Sequence, residues 1–260
     1  MHSIFVLFAL LLITLSSPRS ALAESVHVAA IDWCPQLCMD DDKPGYVQEI
    51  AERVFKGSEY KLLIETFSWS RAIHQVKVGA WFALLSPAKA EAPSLIYTEY
   101  GIGVQRMCFF IPQDVRWRYD NTESLKGLRI GIASDASIEV LNPYIHDKEF
   151  NFQTMHYDQN FITKNIKMIE ANRLDAFIFT QNTTQHQLKK MGLFKSYINA
   201  GCVSEEKIYM ALTNTETQAD KVAAFKEFFD ARIIELYKSG EVNKILKKYQ
   251  IAPWRDSTEH

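Results

Sequence analysis

The sequence predicts an α/β protein of two lobes, each a mostly parallel sheet covered by helices, joined by a short strand-like hinge. Three observations predict it. Short apolar runs alternate with amphipathic stretches over residues 26–88, a pattern that implies mostly parallel sheets covered by helices. The pattern restarts over residues 123–192, so a second α/β unit follows the first. No low-complexity or Gly/Ser tract separates the two series, and the connection is therefore expected to be short and strand-like, a hinge rather than a tether.

The elements follow in order. VHVAAID (26–32) reads as a strand, and GYVQEIAERVF (45–55) as a helix with Val47, Ile50, Val54 and Phe55 on one face. KLLIETF (61–67) is a strand and SRAIHQVKVG (70–79) a helix closed by Gly79. FALLSPA (82–88) is a strand, and a β-rich stretch occupies 94–112. In the second series, 123–134 ends in a strand and 135–145 begins a helix. A strand at 151–158 precedes a helix at 160–173, and a strand at 174–181 precedes a helix at 183–192. KIYMALTN (207–214) is strand-like. The helix after it carries Val222, Phe225, Phe229, Ile233 and Leu236 in one stripe, which reads as packing. Gly240 breaks it, and 241–251 adds a short helix.

Residues Ile4 to Leu15 form an apolar run too short to span a membrane, and Ala21-Leu22-Ala23 supplies a small-x-small cleavage pattern. Residues 1–23 are thus expected to be a secretory signal peptide, although Met1 and His2 give it no basic n-region. The mature protein is expected to be soluble and exported. Lys and Arg number 29 against 31 Asp and Glu, a formal net charge of −2. That balance argues against nucleic acid as a partner, since a phosphate polyanion calls for a basic patch.

All four cysteines, Cys34, Cys38, Cys108 and Cys202, follow the cleavage point. An even count in an oxidising compartment favours two disulfides over free thiols. Cys34 and Cys38 are close enough to close a small loop, and Cys108 and Cys202 would then pair across a long separation. A zinc site at Cys34/Cys38 lacks a second Cys/His pair of matching spacing.

The order of these pieces resembles the bacterial extracellular solute-binding proteins of family 3, the type II periplasmic binding proteins of polar amino acid ABC transporters, of which this chain would be a divergent member. Asp32-Trp33-Cys34-Pro35 ends a strand where the family often has an aromatic and a proline. Gly45 opens a helix before the Ile50/Val54 face. Phe67-Ser68-Trp69-Ser70-Arg71-Ala72 matches the pW-x-R-a turn of one branch, and Tyr97-Thr98-Glu99-Tyr100 stands at FS-x-PY. Lys126-Gly127-Leu128-Arg129-Ile130-Gly131 matches L-x-G-k-x-v-g-v, and Leu174-Asp175-Ala176-Phe177 the g-r-a-D-A strand. The tail resembles the family's l-x-x-G-x-x-x-x-i-x-x-k-y.

The resemblance implies the fold of a two-lobed type II periplasmic binding protein, mixed sheets flanked by helices and two hinge strands, with lobe 1 at 24–106 and 208–260, lobe 2 at 110–203, and hinges near 107–109 and 204–207. Cys108 and Cys202 fall beside the crossings, where a bond would brace the hinge. It implies capture of a small polar solute, delivery to an inner-membrane ABC transporter permease, a monomer and no cofactor. Presentation of a signal to a membrane sensor is the alternative.

Ligands of open α/β sheets lie beyond the carboxyl ends of strands. The candidate ligand-binding residues are therefore Asp32, Trp33, Trp69, Arg71, Ser86, Tyr100, Ser134, Ser137, Thr180 and Gln181. Trp69 would supply a flat face, Arg71 a cationic fork for a carboxylate, and Ser134 to Ser137 a helix N-terminus for an anion, with Asp135 counting against it. The opposing readings are that Trp69 packs between helices, Arg71 pairs with an acid, and Asp32 is a cap.

Departures from the family bear on the substrate. The family's T-x-x-R, whose Arg grips an α-carboxylate, reads Ser86-Pro87-Ala88-Lys89 here. Its Asp for the α-ammonium, near the end of the last lobe 2 strand, is Thr180, and its G-x-x-D reads Gly79-Ala80-Trp81-Phe82. Lys89 is a weak substitute for the Arg. An unpaired buried ionic group is costly, so a zwitterionic α-amino acid is not the expected ligand. An enzyme is not expected either: His27, His74, His146, His156, His186 and His260 are scattered, and neither HExxH nor GxSxG occurs.

Overall fold

A computed structural model describes residues 23–39, 42–134 and 138–254. The proposed signal peptide, Asp135 and Ser137 lie outside the described residues. The strands are β1 (Glu24–Ala30), β2 (Tyr60–Thr66), β3 (Ala83–Ala88), β4 (Ile96–Tyr97), β5 (Gly103–Pro112), β6 (Arg129–Ala133), β7 (Asn151–Met155), β8 (Ala176–Thr180) and β9 (Tyr197–Leu212). The helices are α1 (Tyr46–Phe55), α2 (Trp69–Lys77), α3 (Phe161–Glu170), α4 (Gln181–Lys190), α5 (Ala219–Lys238) and α6 (Glu241–Lys248).

The strands run in the order β2-β1-β3-β9-β5-β8-β6-β7, with β4 also on β9. β1 pairs parallel with β2 and β3, and β6 pairs parallel with β7 and β8. Between these parallel halves stand two long antiparallel strands, β5 and β9, paired from Gly103↔Ile208 to Pro112↔Tyr197. The register slips between Met107 and Cys108 and again between Phe109 and Phe110. Each slip leaves one residue outside the ladder and raises the local twist, so the two halves turn relative to each other at this point.

Each half has its own core. In the first, Val26, Val28 and Ala30 of β1 face α1, α5 and α6, packing with Ile50, Phe225, Phe229 and Ile245, while Ala29 faces α2 with Trp69, Ala72 and Val76. In the second, alternation along β5 sends Phe109 and Ile111 to one face with Ile130 and Ile132, and Cys108 and Phe110 to the other with Phe161, Ile166 and Phe177. The α5 stripe is buried as expected at Val222, Phe225, Phe229 and Ile233, and it is continued by Tyr237 rather than by the half-buried Leu236. Leu236 lies at the edge of the stripe.

Two expectations change. The helix expected from 135 to 145 is, over the described residues 138–145, a succession of turns closed by Leu141 N–H to Ile138 O and Tyr144 N–H to Leu141 O. Pro143 supplies no N–H to a helical ladder and disfavours helix at Asn142, whose Oδ1 instead accepts from Ile138 N–H at 3.0 Å. The strand expected at 207–214 begins ten residues earlier, at Tyr197. Its first part, YINAGCVSEE, has mixed polarity and a Gly at φ 129, which hid its period.

Both cysteine pairs are bonded, Cys34–Cys38 with S–S 1.94 Å and Cys108–Cys202 with S–S 2.06 Å. The second joins β5 to β9 where Cys108 faces Cys202 in the ladder, at the slip. The first closes a loop against the N-terminus of α1. There Tyr46 N–H donates to Pro35 O at 2.9 Å and Val47 N–H to Gln36 O at 3.0 Å, which satisfies two N–H groups left open by the helix start. Gly45 makes the contact feasible: its φ is 99, and a Cβ there would lie 2.4 Å from Gln36 O.

Candidate functional site

Six strand ends meet where the two halves face each other. Ile31, Asp32 and Trp33 follow β1, Trp69 follows β2, and Glu91 follows β3. Across from them, Ala133 ends β6, Tyr157 follows β7, and Phe179 and Thr180 end β8. Gln105 and Met107, alternate residues of β5, form the floor. Together with Ile138 these residues, Asp32 apart, bound a narrow cleft of about 50 Å³. Two further hollows, about 260 and 340 Å³, adjoin it, and both are lined by Asp32 and Tyr157.

The Cys34–Cys38 loop holds Trp33 in place. Trp33 N–H donates to Leu37 O at 2.8 Å, and Trp33 O accepts from Leu37 N–H at 3.1 Å and from Gln36 N–H at 2.9 Å. The indole, 7% exposed, packs against Phe179 of the opposite half at 6.4 Å between ring centroids. Phe179 stacks on Tyr157 at 5.1 Å and 19°. Asp32 also reaches across the gap. Its carbonyl accepts from the Tyr157 hydroxyl at 3.3 Å, and its Oδ2 accepts from Gln159 Nε2 at 3.0 Å. Its Oδ1 accepts from Met39 N–H at 3.3 Å. At the cleft the halves are drawn together by the Asp32 carbonyl and carboxylate and by the tilted Trp33–Phe179 contact; away from it Asn182 Nδ2 donates to the Tyr46 hydroxyl at 3.5 Å and Lys189 Nζ to Gln250 Oε1 at 3.1 Å.

The polar chemistry of the cleft is sparse. Glu91 supplies the single carboxylate among the described lining residues, and no Lys, Arg or His lines it. Glu91 Oε2 accepts from Ala88 N–H at 2.8 Å, and the Tyr97 hydroxyl donates to Ala88 O at 3.1 Å and Ala92 O at 3.0 Å, so the turn carrying Glu91 is fixed from both sides. Burial, with Glu91 nearby, raises the Tyr97 phenol above its ordinary range. Trp33 Nε1, Gln105 Oε1 and Thr180 Oγ1 are buried and without a hydrogen-bond partner among the described residues. No group of three or more His, Cys, Asp or Glu among them is arranged to hold a metal ion.

No protein-family model matches the chain, and no curated protein does. Solved structures do match. The structural basis of glutathione import in Gram-positive bacteria, via GshT and the cystine ABC importer TcyBC of Streptococcus mutans, includes a protein 17% identical to this chain, with a TM-score of 0.72 over 90% of this chain and 99% of that one. A histidine kinase sensor domain with similarity to periplasmic binding proteins gives 14% identity and a TM-score of 0.70 over 89% and 99%. The probable amino-acid ABC transporter extracellular-binding protein YtmK of Bacillus subtilis gives 18% and 0.69 over 87% and 97%. The chain has the two-lobed fold of the periplasmic binding proteins.

In that two-lobed fold the sequence-derived candidates separate into two groups. Trp33, Trp69 and Thr180 are brought together on the central cleft, and Asp32 stands on the two adjoining hollows. The other described candidates do not line it. Arg71 is exposed and stacks over the Phe67 ring at 5.4 Å. Ser86 is buried at the irregularity in β3 with φ 73, a conformation that costs a β-carbon residue about 1–2 kcal/mol. Tyr100 packs on the first core, its N–H 3.3 Å from Asp230 Oδ1. Ser134 is exposed beyond β6, its N–H donating to Met155 O. Gln181 opens α4 with Oε1 3.6 Å from Cys108 Sγ. Lys89 is exposed, its Nζ 5.0 Å from the Tyr209 ring centroid.

Sequence reasoning missed Tyr157, Phe179, Gln105, Met107 and Glu91. Tyr157 obeys the strand-end rule that points to Trp33, but the strand expected at 151–158 ends at Met155, which puts Tyr157 beyond its end and not within it. Gln105 and Met107 carry a period-2 signal inside a β-rich stretch whose limits the sequence left open.

Proposed function

We propose that this protein is a periplasmic solute-binding protein. It captures a small molecule between lobe 1 (24–106 and 208–260) and lobe 2 (110–203) by bending near 107–109 and 204–207, and delivers it to an ABC transporter permease in the inner membrane. The observation that carries this reading is the cleft itself, whose walls come from strand ends of both halves and whose floor is a strand shared by both. A ligand touching both walls favours the closed arrangement by its differential affinity. The resemblance to binding proteins of amino-acid importers supports the transport role. No enzyme chemistry is assigned: among the described residues no nucleophile–base pair lines the cleft.

A second reading has one observation in its favour, the likeness to a histidine kinase sensor domain. On that reading the same closure would be presented to a membrane sensor. The N-terminal segment, read as a signal peptide, supports export in both cases, and the protein acts as a monomer. A thermal-shift screen across amino acids, organic acids, amines, amides and small peptides tests the binding reading. A binder raises the melting temperature in step with its concentration, by RT ln(1 + [L]/Kd) in free energy. A flat response across the whole screen refutes it.

A further inference from the structure

We propose that the ligand of this cleft is an uncharged, flat molecule carrying one hydrogen-bond acceptor and one donor, such as an aromatic carboxamide, and not a carboxylate. The inference rests on the binding reading and narrows it. Three residues that line the cleft each carry a buried polar atom without a partner among the described residues: Trp33 Nε1, Gln105 Oε1 and Thr180 Oγ1. Trp33 is 7% exposed and Thr180 2%. A buried polar group left unsatisfied costs about 1–3 kcal/mol, and native proteins hold few of them. Three around one cleft mark a place where an incoming molecule completes the bonding.

The three atoms specify complementary chemistry. The indole N–H only donates, so it needs an acceptor on the ligand. The amide oxygen of Gln105 only accepts, so it needs a donor. The Thr180 hydroxyl accommodates either. An amide edge presents one of each. The remaining walls, Ile31, Trp69, Met107, Ile138, Tyr157 and Phe179, are apolar or aromatic, and they suit a flat body stacked between rings. Charge decides against the acids. Among the described lining residues there is no cation, and the one carboxylate, Glu91, already accepts from Ala88 N–H. A ligand carboxylate would be desolvated without a counter-ion and would face Glu91, which is strongly unfavourable.

Matched probes test this. Benzamide, benzoate and benzylamine share a ring and differ only in the polar group, as do nicotinamide and nicotinate; phenylalanine adds the zwitterion. Thermal shifts of the full chain are recorded with each over about 0.1–10 mM. The amides are expected to raise the melting temperature in a concentration-dependent way, with the acids and phenylalanine giving no shift at equal concentration and the amine, which offers no acceptor to Trp33 Nε1, a smaller shift than the amides. Thr180→Val is expected to weaken amide binding about tenfold, as the loss of one hydrogen bond, while the unliganded variant melts at or above the wild-type temperature, since the hydroxyl has no partner to lose. If an acid, amine or amino acid shifts the melt and the amides do not, this inference fails and the binding reading stands. If nothing in these sets or in the wider screen shifts it, both fail. An unliganded Thr180→Val that melts lower than wild type removes the argument from unpartnered atoms.

Discussion

The two disulfides are predicted to divide the work between stability and site. In the chain-entropy account, a cross-link stabilises by restricting the unfolded chain, more so for a longer loop. Cys108–Cys202 closes a loop with sequence separation 94, which gives about 4.7 kcal/mol at 25 °C. Cys34–Cys38 has sequence separation 4, for which the same expression gives about 2 kcal/mol. The pairwise variants Cys108→Ala with Cys202→Ala and Cys34→Ala with Cys38→Ala are compared with wild type by urea unfolding, followed by far-UV circular dichroism. With an m-value of about 3 kcal/mol/M, the midpoint should fall by about 1.5 M for the long-range pair and about 0.6 M for the short one. Affinity for the best binder from the screen should show the reverse order, because the small loop holds Trp33 at the cleft. A larger midpoint loss for the Cys34/Cys38 variant would refute the loop-length reasoning, and unchanged affinity in that variant would refute the role given to the loop.

Three further outcomes follow from particular contacts. Gly45→Ala places a methyl group 2.4 Å from Gln36 O at φ 99, so backbone strain and overpacking together should cost about 3 kcal/mol or more and lower the melting temperature by about 10 °C; a change under about 2 °C would contradict the packing of the loop on α1. Asp175 accepts from Arg129 Nη2 at 2.7 Å and from Arg129 Nε at 2.9 Å, and this pairing holds its carboxyl below the ordinary value. The stabilisation is therefore present above the unfolded value, 3.8, and lost as pH falls through the lower folded one. Asp175→Asn should melt below wild type at about pH 7, with the gap narrowing in melts at about pH 3. Glu206 is pushed the other way, by burial first and by Glu139 second. Its charged form is disfavoured in the fold, so its contribution is favourable below the unfolded value and lost as pH rises through the raised one. Glu206→Gln should gain a few degrees over wild type at about pH 7 and less at about pH 4, and a loss at about pH 7 would contradict the assignment.

Periodicity carried most of the fold. β1, α1, β3 and α5 were legible because a half-buried strand or helix writes its buried face into the sequence at steps of two or of three and four. β9 was half-hidden because it passes from one core, across the hinge, into the other, and its exposed middle has no consistent face. The turns at 138–145 read as helix because Ile138 and Leu141 share a spacing of three with helical contacts, although Pro143 opposes a helix there. At the site, aromatic residues after strands were legible as types without being separable. Trp69 and Arg71 sit two residues apart at the start of α2; the helix turns about 100° per residue, so one faces the cleft and the other is exposed on Phe67. The absence of an Arg in Ser86-Pro87-Ala88-Lys89 was the most informative signal, and it agrees with a described lining that contains no cation.

Intrinsic tryptophan fluorescence offers the most direct test of capture between two walls, because Trp33 and Trp69 line the cleft whereas Trp81, Trp117 and Trp254 do not. A compound that stabilises the protein in the thermal screen should produce a saturable, one-to-one change in emission, and that change should be lost when Trp33 and Trp69 are both replaced by Phe. A stabilising compound that leaves the emission of the wild type unaltered, or alters the doubly substituted protein equally, would place its site elsewhere and contradict the account.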